Sequence, residues 1–219
     1  MRHLTAAAFL ALLAALAGCG SSGPSQTARP TYGSPSLEQL KQTADDFHAR
    51  EPNRPVAAGQ VPLQFVDDEG KAVDIASFRG KSNVVLVVVK GMPPSPGGIF
   101  CPGCLAQVNA LTANYDEFKK RDAEILVVFP GAKDTLPQFL RDGKVDGKDG
   151  NPKVPFPLLL DTDSKAVTAL GIDGQLAKPS TYILDKQGNA VFAFVGETTT
   201  DRPSVASLLS RLNKLNGTK

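Results

Sequence analysis

The run Asn83-Val84-Val85-Leu86-Val87-Val88-Val89 constrains this chain more than any other feature. Six consecutive β-branched or branched aliphatic residues favour an extended backbone. With no polar residue alternating among them, neither face of such a strand can meet water. Only the middle of a sheet covered by helices on both sides buries it. The flanking sequence supplies those layers. "VPLQFVDDEGKAVDIASFRGK" reads as strand, acidic Gly turn and strand, with Leu63, Phe65, Val73 and Ile75 on one face. Further on, "EILVVFP" is a second buried strand, "TLPQFLRDG" a short helix, "FPLLLD" an extended piece and "DSKAVTALGI" another helix. "STYILDKQGNAVFAFVG" is a hairpin turning at Lys186–Asn189, and "RPSVASLLSRLNKLNG" an amphipathic closing helix. Strands alternating with helices predict an α/β fold: a three-layer α/β/α sandwich whose mixed central sheet is mainly parallel, with the late hairpin as its antiparallel edge.

The chain begins differently. Arg2 precedes an apolar run from Leu4 to Leu16, too short to span a bilayer and shaped like a secretory signal. It ends in Leu16-Ala17-Gly18-Cys19, which resembles the lipobox of bacterial lipoproteins. That resemblance implies removal of residues 1–18, diacylation of Cys19, and a protein lipid-anchored to a membrane outside the cytoplasm. In a Gram-negative cell it would face the periplasm, and Gly20 in place of Asp leans toward the outer membrane. Residues 19–35 are small, polar and rich in Pro and Gly, as suits a flexible tether. Residues 36–60 open with a helix that Ser36 and Gln39 cap, Leu37, Leu40, Ala44 and Phe47 forming its apolar face. Residues 61–219 form the main domain. The 24 basic and 22 acidic residues nearly cancel, and no basic block points to nucleic acid.

Three cysteines and two histidines leave little room for a metal. With His3 in the signal and Cys19 lipidated, only Cys101, Cys104 and His48 remain, fewer than a structural zinc requires. Leu105 follows the pair, so the haem-attachment spacing is absent and no cofactor is expected. His48 reads as a solvated or partly packed side chain. As a structural staple, a Cys101–Cys104 disulfide would close the smallest of loops and constrain the unfolded chain least. Redox chemistry is the remaining sharp reading of "GGIFCPGCLAQV". Leu105, Val108, Leu111, Tyr115 and Phe118 then predict one amphipathic helix with Cys101 at its N-terminus.

From about Val61 to Leu215 the order of elements resembles the thioredoxin fold in its extended form. It is similar to the alkyl hydroperoxide reductase/thiol-specific antioxidant (redoxin) family and to membrane-anchored thiol-disulfide oxidoreductases. "SFRGKSNVVLVVV", "FCPGC" and "AKPSTYILDKQGNAV" carry the resemblance. It implies that Pro179 matches the family's cis-proline and that Lys178, Pro179 and Ser180 bind substrate. A thiolate at a helix N-terminus is favoured by unpaired N–H groups and the macrodipole. Cys101 is thus expected to be the nucleophile, and Cys104, one turn on, to resolve the mixed disulfide. Pro102-Gly103 would tune the potential, and Lys90, ending the long strand, either adds positive charge or snorkels to water. Implied partners are protein disulfides or a peroxide, an extracytoplasmic or membrane reductant, and the membrane itself.

Peroxide reduction is the rival chemistry. The peroxiredoxin motif spaces Pro, Thr or Ser, and Cys so that Pro94 fits and Gly98 stands where the hydroxyl belongs. Pro179 also stands where that family places its arginine, leaving Arg79 or Lys90 to compensate. On these residues thiol-disulfide exchange leads and a thiol peroxidase is the alternative. A third possibility is a non-catalytic binding module whose cysteines stay oxidised.

Overall fold

Strand β3 (Asn83–Val88) lies at the heart of the molecule, and all six of its residues are buried. The computed structural model describes residues 33–56, 61–62, 64–91, 100–145, 152–174 and 177–217. Cys19 with the signal segment, most of the tether, Leu63, Pro94 and Gly98 lie outside them.

Among the described residues, seven strands form one sheet in the order β2-β1-β5-β4-β3-β6-β7. β1 (Gln64–Asp67) and β2 (Ala72–Asp74) are the first hairpin. β4 (Ala123–Phe129) and β5 (Leu158–Leu160) follow β3 in parallel register. β6 (Ser180–Leu184) and β7 (Ala190–Val195) are the late hairpin. β3 has its alternate residues in two cores. Val85, Val87 and Val89 face α1 (Leu37–Asp45), α2 (Pro102–Ala113), α4 (Leu136–Asp142) and α6 (Val205–Leu215) through Leu40, Val108, Phe139 and Leu212. Val84, Leu86 and Val88 face the 3-10 turn Ile75–Phe78 and α5 (Lys165–Ala169). The three-layer sandwich follows directly. The Ser36–Gln39 capping box forms as well, each side chain bonding the other's backbone.

Two expectations need correction. The sheet is mixed but not mainly parallel, since only β3–β4 and β4–β5 pair that way and β6 runs antiparallel to β3. After α5 the chain does not cross back along the sheet, and β6 starts beside Val88, at the end where β5 stopped. The helix after the cysteines also differs. It breaks at Asn114, whose amide donates to Ala110 O at 2.8 Å, and α3 (Tyr115–Lys119) continues separately. Nor is α2 amphipathic: Gly103 through Val108 are all buried, because α1 covers a side that a peripheral helix would leave to water.

Candidate active site

The site grows from the end of β3. Two residues past the strand, the Lys90 N–H donates to Cys104 Sγ at 3.3 Å. The chain returns at Phe100, which is 2% exposed and packs edge-on against Phe139 of α4 with ring centroids 5.3 Å apart. That anchor sets where α2 begins. Cys101 is its N-cap, and Pro102 follows at the first helical position, where a missing N–H costs nothing. The N–H groups of Cys104 and Leu105 both donate to Cys101 O, at 2.9 and 3.1 Å, closing the first turn. The two sulfurs are free thiols; Cys101 is half-buried and Cys104 fully buried.

A loop from the other end of the chain completes the site. Arg202, 1% exposed, donates from Nη2 to Cys104 Sγ at 3.1 Å and to Cys101 Sγ at 3.8 Å. Its Nε donates to Thr199 O at 2.9 Å, and its Nη1 to Gln107 Oε1. Gly103 is what admits this loop: a Cβ there would sit 1.8 Å from Thr199 O. Outside the site, the Arg50–Asp201 ion pair (3.1 Å) and the Ser204 N–H to His48 O bond (2.9 Å) pin the same loop to the segment after α1. His48 therefore contributes through its backbone, with its side chain exposed.

The two thiols titrate in opposite directions. The Cys101 thiol is pulled from its ordinary 9.0 to about 6, first by a hydrogen bond from Cys104. The Arg202 charge, the Cys104 N–H and the Lys90 charge pull the same way, and burial opposes them. Burial pushes the Cys104 thiol well up, and its bond to Cys101 adds to that. Arg202 is nearer Cys104 than Cys101, yet Cys104 keeps its proton, because complete burial outweighs a cation that both sulfurs share. The arrangement sets a thiol whose ionised form is favoured beside one that holds its proton.

The other anticipated residues scatter. Ser180 pairs with Val88, so the Lys178–Ser180 segment enters the sheet at the thiol end. Its polar groups are occupied: Lys178 N–H donates to Ile172 O, Gly196 N–H to Pro179 O, Ser180 Oγ to Lys178 O, and Lys178 Nζ pairs with Glu197 at 2.9 Å. Arg79 does not compensate for a missing arginine; it lies before β3, against the Gly188 turn, at the opposite end of the strand. Lys90 acts on Cys101 through its charge as well as holding Cys104 through its backbone. Sequence reasoning missed Arg202 and Gln107. Arg202 stands in "ETTTDRPS", a polar stretch that reads as an ordinary loop before a helix.

A cysteine pair that opens a helix beside the central strand of a mixed sheet, with β6 antiparallel to β3, is a thioredoxin-like arrangement. The AhpC/TSA family model matches residues 41–193, and the chain belongs to that family. Among curated proteins it is similar to the chloroplastic peroxiredoxin Q of Sedum lineare, 31% identical over 139 residues, 61% of this chain and 66% of that one. It is also similar to peroxiredoxin Bcp of Escherichia coli (strain K12), 26% identical over 55% of this chain and 68% of that one. The chain thus spans just under two thirds of the Sedum protein's length. Among solved structures, peroxiredoxin 6 of Arenicola marina superposes with a TM-score of 0.59 over 74% of each chain at 16% identity, which establishes the shared fold. Arg202 lies beyond the residues that the family model matches.

Proposed function

We propose that this chain is a peroxiredoxin-type thiol peroxidase in which Cys101 attacks a hydroperoxide and Cys104 resolves the product. The observation that carries this reading is the Arg202 guanidinium against both sulfurs. Residue order alone left only Arg79 or Lys90 to stand in for the family's arginine, and Arg202 arrives from a different part of the chain. The Cys101 thiolate attacks the terminal peroxide oxygen, forming an S–O bond as the O–O bond breaks. Arg202 stabilises the charge that develops on the departing oxygen, which leaves as an alcohol or water after taking a proton. The resulting sulfenic acid is attacked by Cys104, giving a Cys101–Cys104 disulfide and water. An external dithiol returns the two electrons.

The occupied polar groups at Lys178–Ser180 favour a small first substrate over a peptide chain that would need them for pairing. In this reading Pro179 and its neighbours shape the rim. Thiol-disulfide exchange with a protein is a second reading, favoured by the placement of the cysteines one turn apart. The Leu16–Cys19 segment supports a lipid anchor and an extracytoplasmic site of action; metabolic acyl labelling that survives Cys19→Ala would refute it.

The test of function is a paired assay on prereduced protein: peroxide consumption, and reduction of a protein disulfide under the same conditions. Fast peroxide consumption that Cys101→Ser abolishes is expected, with Cys104→Ser giving one turnover and a trappable sulfenic acid. Fast disulfide reduction with slow peroxide consumption would replace the first reading with the second.

A further inference from the structure

Arginine keeps its charge at every working pH, and a buried cation ordinarily meets a carboxylate. Arg202 does not. Among the described residues its partners are Thr199 O, Gln107 Oε1 and the two sulfurs, and no Asp or Glu forms an ion pair with it. Asp201, its neighbour in the chain, is turned the other way, toward Arg50 at 3.1 Å and the Glu197 N–H at 3.0 Å.

Among the described residues, Gln107 is the one side chain apart from the cysteines that holds the guanidinium. It lies one turn past Cys104 on α2 and is 3% exposed. Its orientation is dictated, because a guanidinium only donates and Oε1 must therefore face it. Nε2 then points at Thr181 Oγ1, 3.4 Å away on β6, opposite Val87 of β3. The amide is clamped between the sheet and the arginine.

We propose that Gln107 is a positioning residue of the thiol site: a neutral acceptor that fixes Arg202 over the sulfurs without cancelling its charge, so that the Cys101 thiolate becomes the counter-ion. This rests on the reading of Cys101 as the reacting thiolate. A glutamate of the same reach would hold the guanidinium at least as firmly. It would also close an ion pair in a low-dielectric interior and withdraw the field from sulfur. The groups acting on Cys101 are Cys104 on its own helix, Arg202 on the facing loop and Lys90 beyond β3. All but Cys104 are cations, so a new carboxylate would be the first opposing charge.

The experiment titrates Cys101 in the reduced full-length protein by its alkylation rate against pH, the modified site being assigned by mass spectrometry. Gln107→Glu is expected to raise the midpoint by about one pH unit or more, the usual effect of losing an adjacent opposite charge. Gln107→Met, which removes the acceptor but adds no charge, is expected to raise it by less than half as much. Equal shifts in the two variants, or none in Gln107→Glu, would overturn the proposal. Should Gln107→Glu fail to melt cooperatively, Gln107→Asn takes its place: a midpoint raised less than by Arg202→Met supports the proposal, and an unchanged one overturns it. A wild-type midpoint near 6 without peroxide turnover would refute the peroxidase reading and leave this one standing.

Discussion

The two ends of β3 treat positive charge in opposite ways. Near Asn83, Lys186 pairs with Asp122 at 3.1 Å, partly in solvent, and exposed Arg79 lies against the Gly188 turn. Pairs like this contribute between nothing and about 1 kcal/mol, because water and salt screen them. At the other end Arg202 is sealed from water and faces two sulfurs in place of a carboxylate. There the same charge is weakly screened and acts on a titrating group. Burial and the choice of partner, more than the number of cations nearby, decide whether such a charge acts on a titrating thiol.

The largest expected break in this comparison is Arg202→Met. It removes the buried cation while roughly keeping its volume, and should slow peroxide consumption by about 100-fold or more, the scale seen when one stabilising donor is lost. Stopped-flow peroxide kinetics would read it; a change under threefold would return the reactive end of β3 to the status of the other. Gly103→Ala comes next. Its Cβ would collide with the Thr199 carbonyl, so the Arg202 loop must lift or the helix start must shift. Reduced thermal stability and a raised Cys101 midpoint are expected together. Normal stability with a normal midpoint would mean that the loop is not held where it lies.

A third effect is a pH dependence of stability. Cys101 titrates near 6 in the folded protein against an ordinary 9.0, so between these values the unfolded chain binds more protons. Stability of the reduced protein should therefore rise with pH across that window, and this contribution should vanish as pH falls through 6. Cys104, pushed up by burial, bends the curve the other way above pH 9.0. Denaturant melts of wild type and Cys101→Ser would check this, the variant losing the slope between 6 and 9. The smallest effect belongs to the quiet end: Arg79→Ala should change stability by less than about 1 kcal/mol and leave the Cys101 midpoint where it is. A shift there would mean that charge at the far end reaches the thiols.

Local chemistry made much of the architecture legible. The Ser36–Gln39 box, the turn at Lys186–Asn189 and the apolar run of β3 each act within a few residues. Two features escaped for the same reason. The break at Asn114 and the antiparallel entry of β6 both depend on what packs beside a segment, not on the segment's own residues.

The site divides along the same line. The sequence by itself determined the pair of thiols one turn apart, the buried strand that precedes them and the helix whose first turn favours a thiolate, since spacing and hydrophobic period are short-range properties. Only the tertiary structure decided which sulfur is buried and which cation meets them. Arg202 and Cys101 are separated by 101 positions, and Arg202's neutral partner Gln107 has no charge pattern to betray it. Such a contact exists because a glycine leaves room for a carbonyl and a folded core excludes water, and neither condition has a local signature.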